Sequence, residues 1–182
     1  MYLLHMTEVF AIEFISASRR PHGEDEDIDY VFGLLDISWW YYTIAILLGV
    51  VAWWIWKKPS LGLLIGYFFI ILAETVLIRK PFTGQHFQPQ LLWSWKQWNV
   101  QKNQILTNVV MFVPVGVLGW GLWRWRGLWV AAGMSVEIEL FQLITARGLC
   151  EFDDVLHNVL GAIIGVGIVI LVDKISRAEE PE

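Results

Sequence analysis

Charge and sulfur are what this sequence has little of. Only 17% of its 182 residues are Asp, Glu, Lys or Arg while 56% are hydrophobic, which is far more apolar than a soluble fold of this length requires. A single cysteine, Cys150, excludes an internal disulfide, and a lone thiol among apolar neighbours reads as packing rather than as a nucleophile. The few basic residues are dispersed and the net charge is −5, so no basic patch can neutralise phosphates and nucleic acid is excluded as a partner. His86 has no metal-type neighbours in sequence and reads as a surface residue. What the chain does have is tryptophan, 12 in all, a residue that favours the headgroup layer of a bilayer. The sum is one integral membrane domain.

The N-terminal MYLLHMTEVFAIEFISAS is apolar, but His5, Glu8 and Glu13 interrupt it and Arg19 and Arg20 follow it, the reverse of a signal peptide. Leu3, Met6 and Phe10 share a helical stripe that suits a short interfacial helix. PHGEDEDID follows as an acidic linker, so residues 1–29 form an interfacial, acidic tail and residues 30–178 the membrane bundle. Five apolar spans are expected, at 30–56 or 38–56, 61–78, 105–123, 128–145 and 155–172. Trp39 and Trp40 mark one end of the first span and Trp53, Trp54 and Trp56 the other, about 25 Å apart on a helix. Pro114 should kink the third span. Glu74, near the end of the second, reads as an interfacial carboxylate answering Arg79 or Lys80. The polar connection 79–104 is long enough to be functional, and Leu91, Leu92, Trp93, Trp95 and Trp98 suit a helix lying on the membrane surface. Lys57, Lys58, Arg124, Arg126, Lys174 and Arg177 would share one side, taken as cytoplasmic, with the long connection and the 146–154 turn outside.

Polar residues inside apolar spans are expensive, about 2.5 to 3.5 kcal/mol for a charge at the centre, and so point to pairing or use. In the fourth span Ser135, Glu139 and Gln142 fall at i, i+4 and i+7; in the fifth Asp154, Asn158, Gly161 and Gly165 share a face. Gly161 and Gly165 make a GxxxG step that admits a neighbouring backbone. Asn108 should lie at the same depth, and Glu137 points away from Glu139. The plainer account pairs Arg147 with Glu139, Asp153 or Asp154 and lets Asn108, Gln142 and Asn158 tie helices together. The functional account makes Asn108, Glu139, Gln142, Arg147, Asp153, Asp154 and Asn158 a ligand-binding set. His157, four residues after Asp153, lacks a defined third ligand, so no metal and no cofactor is expected. Ser135 reads as a packing hydroxyl, with no nucleophile motif around it.

The stretches NVVMFVPVGVLG (108–119) and SVEIELFQLITARGLCEFDDVLHNVLGAIIG (135–165) resemble the VanZ-like family of bacterial integral membrane proteins. The matching positions are Asn108, Phe112, Pro114, Gly116, Glu139, Gln142, Arg147, Asp153, Asp154, Asn158 and Gly161, with Lys80, Pro81 and Phe82 a weaker match; Glu137 and His157 stand where the family pattern is usually apolar. The resemblance implies a multi-pass, all-α helix bundle in the bacterial cytoplasmic membrane. The family takes its name from a protein implied in low-level resistance to teicoplanin, a lipoglycopeptide, and no catalytic activity is established for it.

The expectation is an envelope protein without identified catalytic activity whose outer polar site binds an amphiphile, either a lipid-linked envelope precursor or a lipoglycopeptide, and which contributes to glycopeptide tolerance. Arg147 would face a phosphate or carboxylate while acids and amides orient the remainder. Membrane lipids are the other expected partners, and a homo-oligomer is left open. Two alternatives stand beside it. One is an enzyme acting on a lipid headgroup, with Glu139 or Asp154 as general base. The other is a scaffold for envelope proteins, for which the acidic tail and Glu137 are the hints.

Overall fold

Five helices occupy the five apolar runs, and their packing is set by where glycine interrupts the bulky side chains. The structure, a computed structural model, describes residues 39–81 and 83–178. The N-terminal tail with its expected interfacial helix, and Phe82, lie outside the described residues. Helix α1 (Trp40–Trp56) ends at Lys57, which takes a left-handed conformation (φ 55°) and donates its N–H to the Trp53 carbonyl. Pro59 opens α2 (Pro59–Leu72) in the first turn, where its missing N–H costs nothing. The two helices form a close hairpin: a Cβ on Gly49 would come within 2.9 Å of the Gly62 carbonyl oxygen, and one on Gly66 within 2.8 Å of that of Ala45. Backbones approach this closely only where side chains are small.

Helix α2 runs into a π-helical turn, Ala73–Leu77. Beyond it lie the strand β1 (Phe87–Gln88), the one-turn helix α3 (Trp93–Lys96), and α4 (Trp98–Trp123). Helix α5 (Arg126–Thr145) returns, β2 (Cys150–Glu151) follows, and α6 (Phe152–Ala178) ends the described chain. Four of these segments are long and apolar enough to cross a membrane, and α1 is a shorter apolar helix. The protein is thus an all-α, polytopic helix bundle. Helices α4 and α6 overrun their apolar runs, α4 beginning at Trp98 rather than at 105 and α6 running from Phe152 to Ala178 rather than over 155–172, because their polar end turns continue the same hydrogen-bond ladder. Pro114 interrupts that ladder without ending the helix, and close by the Tyr67 hydroxyl donates to the Met111 carbonyl at 2.9 Å, tying α2 to α4.

The seam between α4 and α6 organises the bundle. Gly161 lies against the Val109 carbonyl, Gly165 against that of Val113, and Gly116 against that of Ala162, each so close that no Cβ fits. The register of these contacts makes α4 and α6 parallel, with α5 antiparallel beside both. Phe112, Val115, Ile138, Ile71 and Ala162 fill the core below the polar end and are almost wholly buried. The turns carrying Lys57 and Lys58, and Arg124 and Arg126, fall at one end with the C-terminus of α6; the long connection and the 146–151 turn meet at the other.

Candidate functional site

Helical spacing delivers the polar side chains to one end of the bundle. On α5, Ser135, Glu139 and Gln142 are buried while Glu137, Leu140 and Phe141 face outward. On α6, Asp153, Asp154, His157 and Asn158 are all buried within the first two turns. Ala146, left-handed at φ 53°, ends α5, and Gly148 beyond it leaves room for the Gln142 side chain, which a Cβ there would displace.

The 79–104 connection closes over this end, and α6 and β2 hold it there. Phe87–Gln88 pairs in parallel with Cys150–Glu151, and the Cys150 N–H donates to the His86 carbonyl at 2.9 Å. Asp153 accepts three hydrogen bonds from the cap: the Leu92 N–H at 2.6 Å, the Ser94 N–H at 3.0 Å and the Ser94 hydroxyl at 2.6 Å. The Trp93 indole N–H donates to Glu151 Oε2 at 2.7 Å, and the Glu151 N–H donates to Glu139 Oε2 at 2.8 Å. Over 91–98 the segment makes one helical turn, with Ser94 buried against Asp153 and Leu91, Leu92, Trp95 and Trp98 exposed. The inward side of the turn is held by a carboxylate that satisfies its backbone amides with charge-assisted bonds.

The cations are arranged differently from the pairing that spacing suggests. Arg147, half-buried, donates to the Leu77 carbonyl at 2.8 Å and closes the π-helical turn instead of pairing with Glu139, Asp153 or Asp154. Gln142 reaches the same turn, donating to the Thr75 carbonyl at 3.4 Å. Glu74 is buried in that turn, at the end of the bundle that carries Arg79. Asp154 is served by one amide, Gln104, at 3.2 and 3.5 Å, and its Oδ1 lies 3.7 Å from His157 Nδ1. Asn158 donates to the Ser135 hydroxyl at 2.8 Å. So Glu139, Asp153, Asp154 and Asn158 gather beneath the cap, while Gln142 and Arg147 attach to the π-helical turn beside it.

Several buried polar atoms have no hydrogen-bond partner among the described residues: both ring nitrogens of His157, Asn158 Oδ1 and Asn108 Nδ2. Each such atom costs about 1–3 kcal/mol if nothing fills it. His157, only 2% exposed, lies 5.9 Å from the Trp95 ring, with Trp98 stacked on the outer side. No group of three or more His, Cys, Asp or Glu suited to a metal ion occurs among the described residues.

Glu151, Ser94 and Gln104 stand outside the residues that spacing selects, and Trp93 and Glu74 are singled out by the sequence in other roles. Glu151 had the clearest signal, an acid next to the Asp153–Asp154 pair. Burial, then the charge of Asp154, pushes its carboxyl up from 4.5 to about 7, with the Trp93 and Gln104 hydrogen bonds pulling partly back. A carboxyl raised in the folded state contributes stability that is fully present below pH 4.5 and is lost as pH rises through about 7. Glu151→Gln should therefore raise the thermal midpoint in detergent above pH 7 and leave it nearly unchanged at pH 4.5, as a melt series across that window would read. Cys150, buried in β2, has its thiol pushed up by burial and then by Glu139, Asp154 and Glu151. Maleimide labelling at pH 7 should be at least tenfold slower in the folded protein than in SDS.

The fold and this end of the bundle define a multi-pass membrane protein with a capped, acid-rich polar cluster at one end. The family model described as VanZ/LLP1 matches residues 44–173, from within α1 to near the end of α6, and the chain belongs to that family. No curated protein and no solved structure matches the chain.

Proposed function

We propose that this protein binds the headgroup of a membrane amphiphile, a lipid-linked envelope precursor or a lipoglycopeptide, at the capped end of the bundle. The end would face outward from the bacterial cytoplasmic membrane, and binding there would contribute to glycopeptide tolerance. One observation carries the reading: buried polar atoms of His157, which lies beside Asp154, and of Asn158 one residue further lack partners among the described residues, at the polar end of the apolar bundle. Polar contacts that only fasten membrane helices would be expected to close on themselves, each being worth about 0.6 to 2 kcal/mol. The exposed Trp95 and Trp98 supply a rim that suits an interfacial ligand. Asp154→Ala and His157→Ala, purified and folded, should each weaken amphiphile binding at least tenfold, while Arg147→Ala, which removes a contact to the Leu77 carbonyl beside the site, should weaken it less; unchanged binding in both of the first two rejects the site.

An enzyme acting on a lipid headgroup is the second reading, favoured by the Glu151 carboxyl, which at about 7 is poised to take or give a proton at neutral pH. Turnover of a labelled lipid precursor, lost in Glu151→Gln, would support it. Absence of product with the wild-type protein would count against it.

A further inference from the structure

We propose that the headgroup taken by the capped end carries a primary ammonium, bound on the α6 face formed by Asp154, His157 and Asn158. The inference rests on the amphiphile-binding reading and specifies its chemistry. The three side chains fall at i, i+3 and i+4, and each brings an acceptor that is poorly served. Asp154 has two oxygens sharing one amide donor at 3.2 and 3.5 Å. Among the described residues neither ring nitrogen of His157 makes a hydrogen bond, and its Nδ1 lies beside Asp154 Oδ1 at 3.7 Å. The Asn158 amide donates to Ser135, which leaves its Oδ1 without a donor. A primary ammonium presents three N–H donors and no acceptor, the complement of this face; a neutral imidazole accepts through one nitrogen.

The charge around the face selects in the same direction. Glu139 and Glu151 stand beside Asp154, all three close enough to act on the Cys150 thiol. Their hydrogen-bond partners include the neutral Trp93 indole, the Gln104 amide and the Glu151 N–H. Arg79 acts on Glu139, and Arg147 is turned to the Leu77 carbonyl. A phosphate placed against Asp154 would meet its carboxylate and two further acids, of which Glu151 is partly ionised near pH 7, whereas an ammonium meets the opposite charge of Asp154 in a site screened from water, and its own charge favours ionisation of the neighbouring acids. Trp95, its ring 5.9 Å from His157, adds an aromatic face toward which a cation is drawn on entry. A quaternary ammonium would keep the charge and lose every donor, so hydrogen bonding and charge can be separated by methylation alone.

The test uses the full-length protein, delipidated in detergent, and lipids with identical acyl chains in native mass spectrometry. Phosphatidylethanolamine, its N-methyl and N,N-dimethyl forms, phosphatidylcholine and phosphatidylglycerol are titrated in turn. Phosphatidylethanolamine should bind at least tenfold more tightly than phosphatidylcholine, with affinity falling at each methylation. His157→Gln and Asp154→Asn should remove the preference. Glycerophosphoethanolamine, which has the amine without the chains, should compete weakly if the ammonium is recognised for itself, and its failure to compete at any concentration counts against the proposal. Equal binding of phosphatidylethanolamine and phosphatidylcholine, or a preference for phosphatidylglycerol, overturns the ammonium assignment and leaves amphiphile binding standing. No binding of any lipid or lipoglycopeptide overturns both.

Discussion

Gly161→Val should separate α4 from α6 and abolish the stable bundle. A Cβ at Gly161 falls on the Val109 carbonyl and 3.1 Å from Phe112 Cβ, and backbone cannot swing aside as a flexible side chain can. Overpacking a filled interior costs about 1–3 kcal/mol, and more where backbone must move, so the loss here is expected at about 3 kcal/mol or above. Against it stands the better helix propensity of a non-glycine residue, about 1 kcal/mol at most. The steric effect wins. Gly167, six residues along the same helix, is the control, because a Cβ there meets nothing within 4 Å. Gly167→Ala should hold or raise the thermal midpoint while Gly161→Val lowers it sharply, in the same detergent, by fluorescence-detected melting. Equal effects of the two would remove the glycine seam from the account.

Asp153→Ala should release the cap. The carboxylate is almost completely buried and accepts from the Leu92 N–H, the Ser94 N–H and the Ser94 hydroxyl. Hydrogen bonds to a charged group contribute about 1.5–3 kcal/mol each, and their removal also orphans two backbone donors, so a local loss of about 3–5 kcal/mol is expected. Amide exchange over residues 87–97 should accelerate about 100-fold or more, with the core of α4 and α6 little changed. Asp153→Asn, which keeps one acceptor oxygen, should fall between. Exchange that stays at the wild-type rate in Asp153→Ala would mean that the cap is held by its apolar contacts, such as Phe87 against Phe152, and not by the carboxylate.

These two residues also separate what the sequence makes legible from what it does not. Gly161 and Gly165 announce a close helix crossing by spacing alone, and apolar run length places all five helices. The inward faces of α5 and α6 follow from period, because Ser135, Glu139 and Gln142 must point one way if Glu137 points another. Period says nothing about which segment covers a face. The Asp153–Ser94 and Arg147–Leu77 contacts join residues 59 and 70 positions apart. Nothing local distinguishes a carboxylate that will fasten a loop from one left open, so Asp153 and Asp154 look alike in sequence and differ in structure. Glu74 is visible as a carboxylate at the end of its span, but its burial depends on the elements packed around the π-helical turn, which spacing within that span does not specify.

Headgroup binding is proposed at the acid-rich end under the cap. Photo-cross-linking locates it most directly. A phosphatidylethanolamine bearing a diazirine next to its headgroup, irradiated with the folded protein and mapped by peptide mass spectrometry, should label residues in 93–108 and 151–158. Excess unlabelled phosphatidylethanolamine should suppress the labelling, and Asp154→Asn should lower it at least tenfold. Labelling confined to the lipid-facing surface of α1, or to the end that carries Lys57 and Arg124, and indifferent to Asp154→Asn, would contradict the account.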